Sequence, residues 1–146
     1  MPLPRGHAVD TPRRFTCQAP GRDLGKKGSS CDEDSKGVEA SNNLTGGISV
    51  REDAAGTLTS AISSAKALAN TGHGIDFDEN RGGAADVMGI LTAKVSQSTS
   101  SGNGGAGVRA DSQTPGVGTL LLKSVTLAGN TGGATTGGNV TVTTVP

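Results

Sequence analysis

The sequence predicts an all-β protein: a short right-handed parallel β-helix (a solenoid) of three to four coils, with an irregular N-terminal arm. Three observations lead there. Asparagine recurs at Asn43, Asn70, Asn103 and Asn130, at intervals of 27, 33 and 27 residues. Five residues after the first three stand Ile48, Ile75 and Val108, each directly preceded by glycine and followed two positions later by Val50, Phe77 or Ala110. Before Asn70, Asn103 and Asn130, pairs again alternate: Ser60 and Ile62, Ala93 and Val95, Leu120 and Leu122, then Ala65 and Ala67, Ser98 and Ser100, Val125 and Leu127. Alternation at period two is the signature of a strand. A recurring unit of this length is the signature of a repeat architecture.

Taken in order, residues 1–42 read as the arm. In GRDLGKKGSSCDEDSKGVEASNN, Leu24 and Val38 are the large aliphatics, among mixed charge, Gly and Ser. Such a stretch buries too little apolar area to offset the entropy of ordering its backbone. Cys17 and Cys31 could close a loop by a disulfide or stand as two thiols. The acidic run CDEDSKG reads as solvated charge, because it lacks the alternating ligands and bidentate Glu of a calcium loop. With two cysteines, no CxxC spacing, and His7 and His73 as the histidines, a structural zinc is not expected.

Residues 43–146 read as the repeats. Each unit reads as a strand, a loop, a strand, a bend, a strand and an Asn-Gly turn. Ile48 to Leu58 spans ten residues and Ile75 to Leu91 sixteen, so the longer unit carries a six-residue insertion in the loop NRGGAADVMG, near Gly82. Insertions in one loop leave strand stacking untouched. The final GGNVTVTT, with Val140 and Val142, reads as another copy of the GGISVRED strand after five extra residues. Because units repeat in one direction, equivalent strands stack in parallel, about 4.8 Å apart. The Asn residues then fall at matching turns, where Asn tolerates left-handed backbone, and their side chains can hydrogen-bond as a ladder. Gly47, Gly74 and Gly107 are expected at tight bends before the strands. Ser98 and Ser100 fall on inward positions, where each hydroxyl needs a partner.

The stretch LLLKSVTLAGNTGG, with GVRADS before it, resembles the repeats of right-handed parallel β-helix proteins of the pectin lyase-like superfamily. The resemblance covers about 100 residues. It implies an extracellular or cell-surface setting and carbohydrate as the chemistry of interest. Leu122, Val125, Leu127 and Asn130 also match a leucine-rich repeat, but Ala65, Ala67, Ser98 and Ser100 do not supply its leucines.

Composition narrows the function. Formal net charge is zero, which removes the basic excess that nucleic-acid binding requires. No apolar run approaches the roughly 18 residues of a membrane span, and no apolar stretch follows the N-terminal arginines to make a secretory signal. Trp and Tyr are absent, and Phe15 and Phe77 are the two aromatics.

Members of the superfamily that cleave polysaccharides use clustered carboxylates and basic residues on one sheet face. The corresponding candidates for carbohydrate or calcium binding are Asp76, Asp78, Glu79, Arg109 and Asp111, with Asp53 and Arg51 nearby. A carboxylate pair can serve glycoside hydrolysis or hold calcium. The alternative is a set of outer-face charges opposite Ile48, Ile75 and Val108. GHGIDFD resembles one calcium-binding nonapeptide, but GAGVRAD places Arg109 where the second copy needs Asp. No catalytic motif of the family transfers, and no cofactor other than calcium is suggested. Flat arrays of outward threonine can bind ice, yet TVTT at 141–144 reads as a single row without stacked copies.

The expected function is a non-enzymatic β-helix repeat module, surface-associated or exported, for adhesion or glycan contact. Its partner would be a polysaccharide or a stacking copy of itself, and the chain could be part of a larger protein. The alternatives are a polysaccharide lyase or hydrolase of the pectin lyase type, or a reading frame with no selected function.

Overall fold

A computed structural model describes residues 13–17, 29–52, 56–79, 89–112 and 115–146, with side chains from Asp34 onward. The described secondary structure is entirely β. The chain winds as a parallel β-helix whose strands stack into three sheets. Sheet A holds β1 (Arg13–Cys17), β4 (Ile48–Glu52), β7 (Ile75–Glu79), β10 (Val108–Ser112) and β13 (Thr135–Thr136) in that order. Sheet B holds β2 (Ser29–Lys36), β5 (Gly56–Ser63), β8 (Ile90–Ser96), β11 (Val117–Lys123) and β14 (Val140–Val145). Sheet C holds β3 (Glu39–Ser41), β6 (Lys66–Leu68), β9 (Thr99–Ser101) and β12 (Thr126–Ala128). Every neighbouring pair is parallel, and each coil crosses the sheets in the order A, B, C.

The register follows the sequence alignment of the repeats. Ile48 pairs with Ile75 and Ile75 with Val108 in sheet A. Leu58 pairs with Leu91 in sheet B. Glu52 and Thr57 of one coil match Glu79 and Ile90 of the next, which assigns the six extra residues to the connection between β7 and β8. Most of that loop, and Asp53, lie outside the described residues.

The helix begins earlier than Asn43. Within the stretch expected as an irregular arm, β1 pairs with β4, β2 with β5 and β3 with β6. SSCDEDSK has no apolar alternation, so its strand state comes from the neighbouring strand β5, which offers a full row of backbone partners. The side chains of Cys17 and Cys31, and residues 1–12 and 18–28, lie outside the description.

The last coil also differs from expectation. VTVTTV belongs to sheet B, with Val140 opposite Gly118 and Val142 opposite Leu120, while Thr135 opposite Val108 takes the sheet A position. Val108 to Gly118 is ten residues and Thr135 to Val140 is five, so this coil is shortened rather than extended.

The core is a narrow column of aliphatics from all three sheets. Ile48, Ile75 and Val108 stack on one wall, and Leu58, Leu91, Ile62, Val95, Leu120 and Leu122 on another. Ala40, Ala67 and the fully buried Ser100 line the third. Sheet C tolerates small residues because the interior closes there around the Asn turn. The hydroxyls of Ser98 and Ser100 are both satisfied, whereas the buried Ser60 Oγ has no hydrogen-bond partner among the described residues. Ser98 Oγ donates to Ser96 O (2.7 Å) and accepts from Ala65 N (3.0 Å). Ser100 Oγ donates to Gly107 O (2.6 Å) and accepts from Asn103 Nδ2 (3.2 Å).

The turns after sheet C carry a continuous amide ladder. Asn43 Nδ2 donates to Asn70 Oδ1 (2.8 Å), Asn70 Nδ2 to Asn103 Oδ1 (3.0 Å) and Asn103 Nδ2 to Asn130 Oδ1 (2.8 Å). Each acceptor oxygen also takes the backbone N–H of the preceding Asn. The left-handed residue at this turn is not the ladder Asn but the one before it: Asn42, Ala69, Gly102 and Gly129. The glycines before the sheet A strands serve space rather than backbone angle, since none has positive φ. A Cβ on Gly47 would stand 2.5 Å from Gly74 O and 2.8 Å from Asn70 Nδ2. The bend between sheets B and C is left-handed too, at Gly37, Ser64, Gln97 and Ser124.

Candidate functional site

Alternation along β7 separates the acidic candidates. Asp76 and Asp78 leave the sheet on its outer face, whereas Glu79 shares the inward side of Ile75 and Phe77 and is fully buried. The expected cluster is therefore two groups on opposite faces of sheet A.

On the outer face, Arg109 gathers the carboxylates. Its Nη1 donates to Asp76 Oδ1 (2.8 Å) and its Nη2 to Asp111 Oδ2 (2.6 Å), with Asp78 Oδ2 at 3.5 Å from Nη1. Register places Arg109 beside Asp76, and Asp111 beside Asp78. Arg51 stands further off, 3.8 Å from Asp76 Oδ2, and its Nε donates to Ser49 Oγ (3.1 Å). Burial lowers the affinity of the Arg109 guanidinium for its proton, but Asp76, Asp78 and Asp111 outweigh that effect and raise its pKa. Asp76 and Asp78 are buried despite facing outward. Charge buried to this degree requires a paired partner, and Arg109 supplies it. The guanidinium lies among the three carboxylates and neutralises part of their charge. Among the described residues, no group of three or more His, Cys, Asp or Glu is placed to hold a metal ion.

On the inner face, Glu52, Glu79 and Ser112 stack in register at the end of sheet A, all buried. Ser112 Oγ donates to Glu79 Oε2 (3.3 Å). Burial raises the pKa of the Glu79 carboxyl, and the charges of Glu52 and Asp78 add to that; hydrogen bonds from Ser112 and the Gly56 backbone oppose it. A Cβ on Gly89 would collide with this carboxylate, so Gly89 is what makes room for it. Glu52 was not among the sequence candidates. Its signal was its parity with Ile48 and Val50.

His73 has a structural role in the turn. Its Nδ1 accepts from the backbone N–H of Ala106 (3.0 Å), and its carbonyl accepts from Gly47 N (2.9 Å).

The outer face of sheet B holds a feature that sequence reasoning missed. Thr59 pairs with Thr92, Thr92 with Thr119, and Thr119 with Thr141. All four are exposed. Thr141 of the last strand therefore does have stacked copies, whereas Thr143 and Thr144 stand opposite Leu121 and Leu122. The signal was present: Thr59, Thr92 and Thr119 each stand eleven residues before Asn70, Asn103 and Asn130. Beside this column, Ile90 and Val117 pair with each other and are 43% and 55% exposed.

Comparison with protein-family models, with curated proteins and with solved structures finds no match to this chain. The class of protein is therefore defined by architecture: a short parallel β-helix with an Asn ladder. No helix among the described residues is long and apolar enough to cross a membrane.

Proposed function

We propose that the chain is a non-enzymatic β-helix repeat module that makes contact through a flat sheet face, in an adhesive or glycan-contacting role. The observation that carries this reading is the exposed column Thr59, Thr92, Thr119 and Thr141, in register across four coils of sheet B. Hydroxyls repeated at the strand spacing of about 4.8 Å suit a partner that is itself extended and repetitive. The repeat pattern of LLLKSVTLAGNTGG supports a pectin lyase-like kinship and, with it, an extracellular or cell-surface setting. The enzymatic alternative is disfavoured by the acidic residues themselves. Asp76, Asp78 and Asp111 are all engaged by Arg109, and Glu79 lies across the sheet from them.

The test combines binding with product analysis. The protein is mixed with insoluble neutral and acidic polysaccharides, and both co-sedimentation and newly formed reducing or unsaturated ends are measured. Binding that weakens in Thr92→Lys, without new ends, is the expected result. New ends that disappear in Asp78→Ala or Asp111→Ala would overturn the non-enzymatic reading.

A further inference from the structure

The threonine face has chemistry narrower than general adhesion. It combines four properties. It is periodic, because each threonine lies over the next at the spacing of parallel strands, about 4.8 Å. It is rigid, because the residues beneath it, such as Leu58, Leu91 and Leu120, are packed in the core and because β-branched side chains hold few rotamers. Its charge is sparse: in the columns running from Thr57 to Thr143 over β5, β8, β11 and β14, Lys94 is the charged residue, while β2 sets Asp32 opposite Thr59 and Asp34 opposite Ala61 in register. It is also half apolar, since every threonine adds a methyl to its hydroxyl and the flanking column carries the exposed Ile90 and Val117.

The threonines repeat in one direction, along the helix axis, with a period of one strand. Along each strand, outward residues recur every second position, about 6.6 Å apart, as in Thr57 and Thr59 or Thr141 and Thr143. One flank of the column runs Thr57, Ile90 and Val117, and the other Ala61, Lys94, Leu121 and Thr143, so the threonine repeat is confined to a single column.

We infer that this face binds the surface of crystalline ice, with the Thr59–Thr92–Thr119–Thr141 column as its centre. Ice presents water oxygens on a flat lattice with repeats of similar size in two directions. A rigid row of hydroxyls can hydrogen-bond along one repeat of that lattice, while its methyls and the adjacent Ile90 and Val117 order water beside it. A charged or mobile surface would instead hold disordered hydration. A soluble sugar is a poorer match, because the described residues of this face offer no ring for a pyranose to stack on; Phe77 is buried in the core. The inference rests on the reading of sheet B as the contact face, and it names the partner of that face.

The experiment measures ice shaping, thermal hysteresis and inhibition of ice recrystallisation on the full chain, with circular dichroism as a check on folding. Thr92→Lys and Thr119→Lys place a charge in the middle of the column and are expected to lose most of the activity. Thr126→Lys, on the outer side of sheet C, is expected to keep it. Lys94→Thr removes the charge on the same strand as Thr92 and is expected to gain activity, a result that loss of folding cannot mimic. Absence of ice shaping by the unaltered protein would overturn the inference. If the protein then still sediments with polysaccharide in a Thr92-dependent way, the contact face stands and ice is not its partner. If it does neither, both readings fall. Ice activity unchanged by the Thr92 and Thr119 variants would overturn the assignment to this face.

Discussion

Asn70 Nδ2 donates to Asn103 Oδ1 at 3.0 Å, although the two residues are 33 positions apart in the chain. The same oxygen accepts Asn70 N (3.0 Å), and Asn103 Nδ2 continues to Asn130 Oδ1 and to Ala67 O. One side chain thus satisfies both donors of the preceding turn and ties three coils together.

Asn103→Ala is expected to be among the most destabilising polar substitutions. It leaves the backbone and side-chain donors of Asn70 buried without their acceptor, at roughly 1–3 kcal/mol for each orphaned group. Asn130→Ala, at a half-buried rung, is expected to cost less. Urea unfolding of both variants measures the difference.

The glycines and the left-handed positions make opposite predictions. A Cβ on Gly74 would collide with Ser100 Oγ and approach Asn103 Nδ2 to 2.6 Å, so Gly74→Ala is expected to destabilise strongly, at the upper end of the roughly 1–3 kcal/mol of overpacking. Ala69 instead holds φ at 53°. Ala69→Gly is expected to stabilise by roughly 0.5–1 kcal/mol, because relief of the left-handed strain exceeds the added freedom of the unfolded chain. Thermal melts of the two variants should shift in opposite directions.

Glu79 predicts a pH dependence of known sign. Its pKa is raised above the ordinary 4.5 in the folded protein. Between the unfolded and folded values the folded state holds more protons, so stability falls as pH rises through that window. The contribution is fully present below the unfolded value and is lost once pH passes the folded one. Glu79→Gln is expected to abolish this fall and to be the more stable protein at neutral pH. Urea midpoints at a series of pH values check both statements; equal slopes in the two proteins would count against the assignment.

Arg109→Gln removes the partner of three carboxylates and is expected to cost about 2 kcal/mol, between the limits for exposed and buried pairs. Arg51→Gln is expected to cost less, since Arg51 Nη2 stands 3.8 Å from Asp76 Oδ2 where Arg109 Nη1 stands 2.8 Å from Asp76 Oδ1. Added salt should narrow the gap between Arg109→Gln and the unaltered protein, because screening weakens both the lost attraction and the new repulsion.

Much of this was legible in the chain. The spacing of Asn43, Asn70, Asn103 and Asn130 marked the coil, and period-two alternation placed Ile48, Ile75 and Val108 inside. The same parity puts Glu52 and Glu79 inside, although in the sequence Glu79 groups with outer-face charges and Glu52 is passed over, because a carboxylate is so rarely buried. The strand SSCDEDSK was not legible, because polar residues carry no periodicity that reveals a strand. Its state is imposed by pairing with β5, in keeping with the strong context dependence of strand preference.

Spacing and alternation along the chain set the coil length up to Asn130, the site of the six-residue insertion and the inward aliphatics of the strands from Ile48 to Leu122. Those properties depend on the order of residues along a few positions of backbone. The tertiary structure alone decided which groups meet between coils. Arg109 reaches Asp76, and Thr92 lies between Thr59 and Thr119, because stacking at strand spacing joins residues 27 to 33 positions apart. It also decided that the glycines before sheet A are needed for space, since the backbone of the next coil occupies the place a Cβ would take.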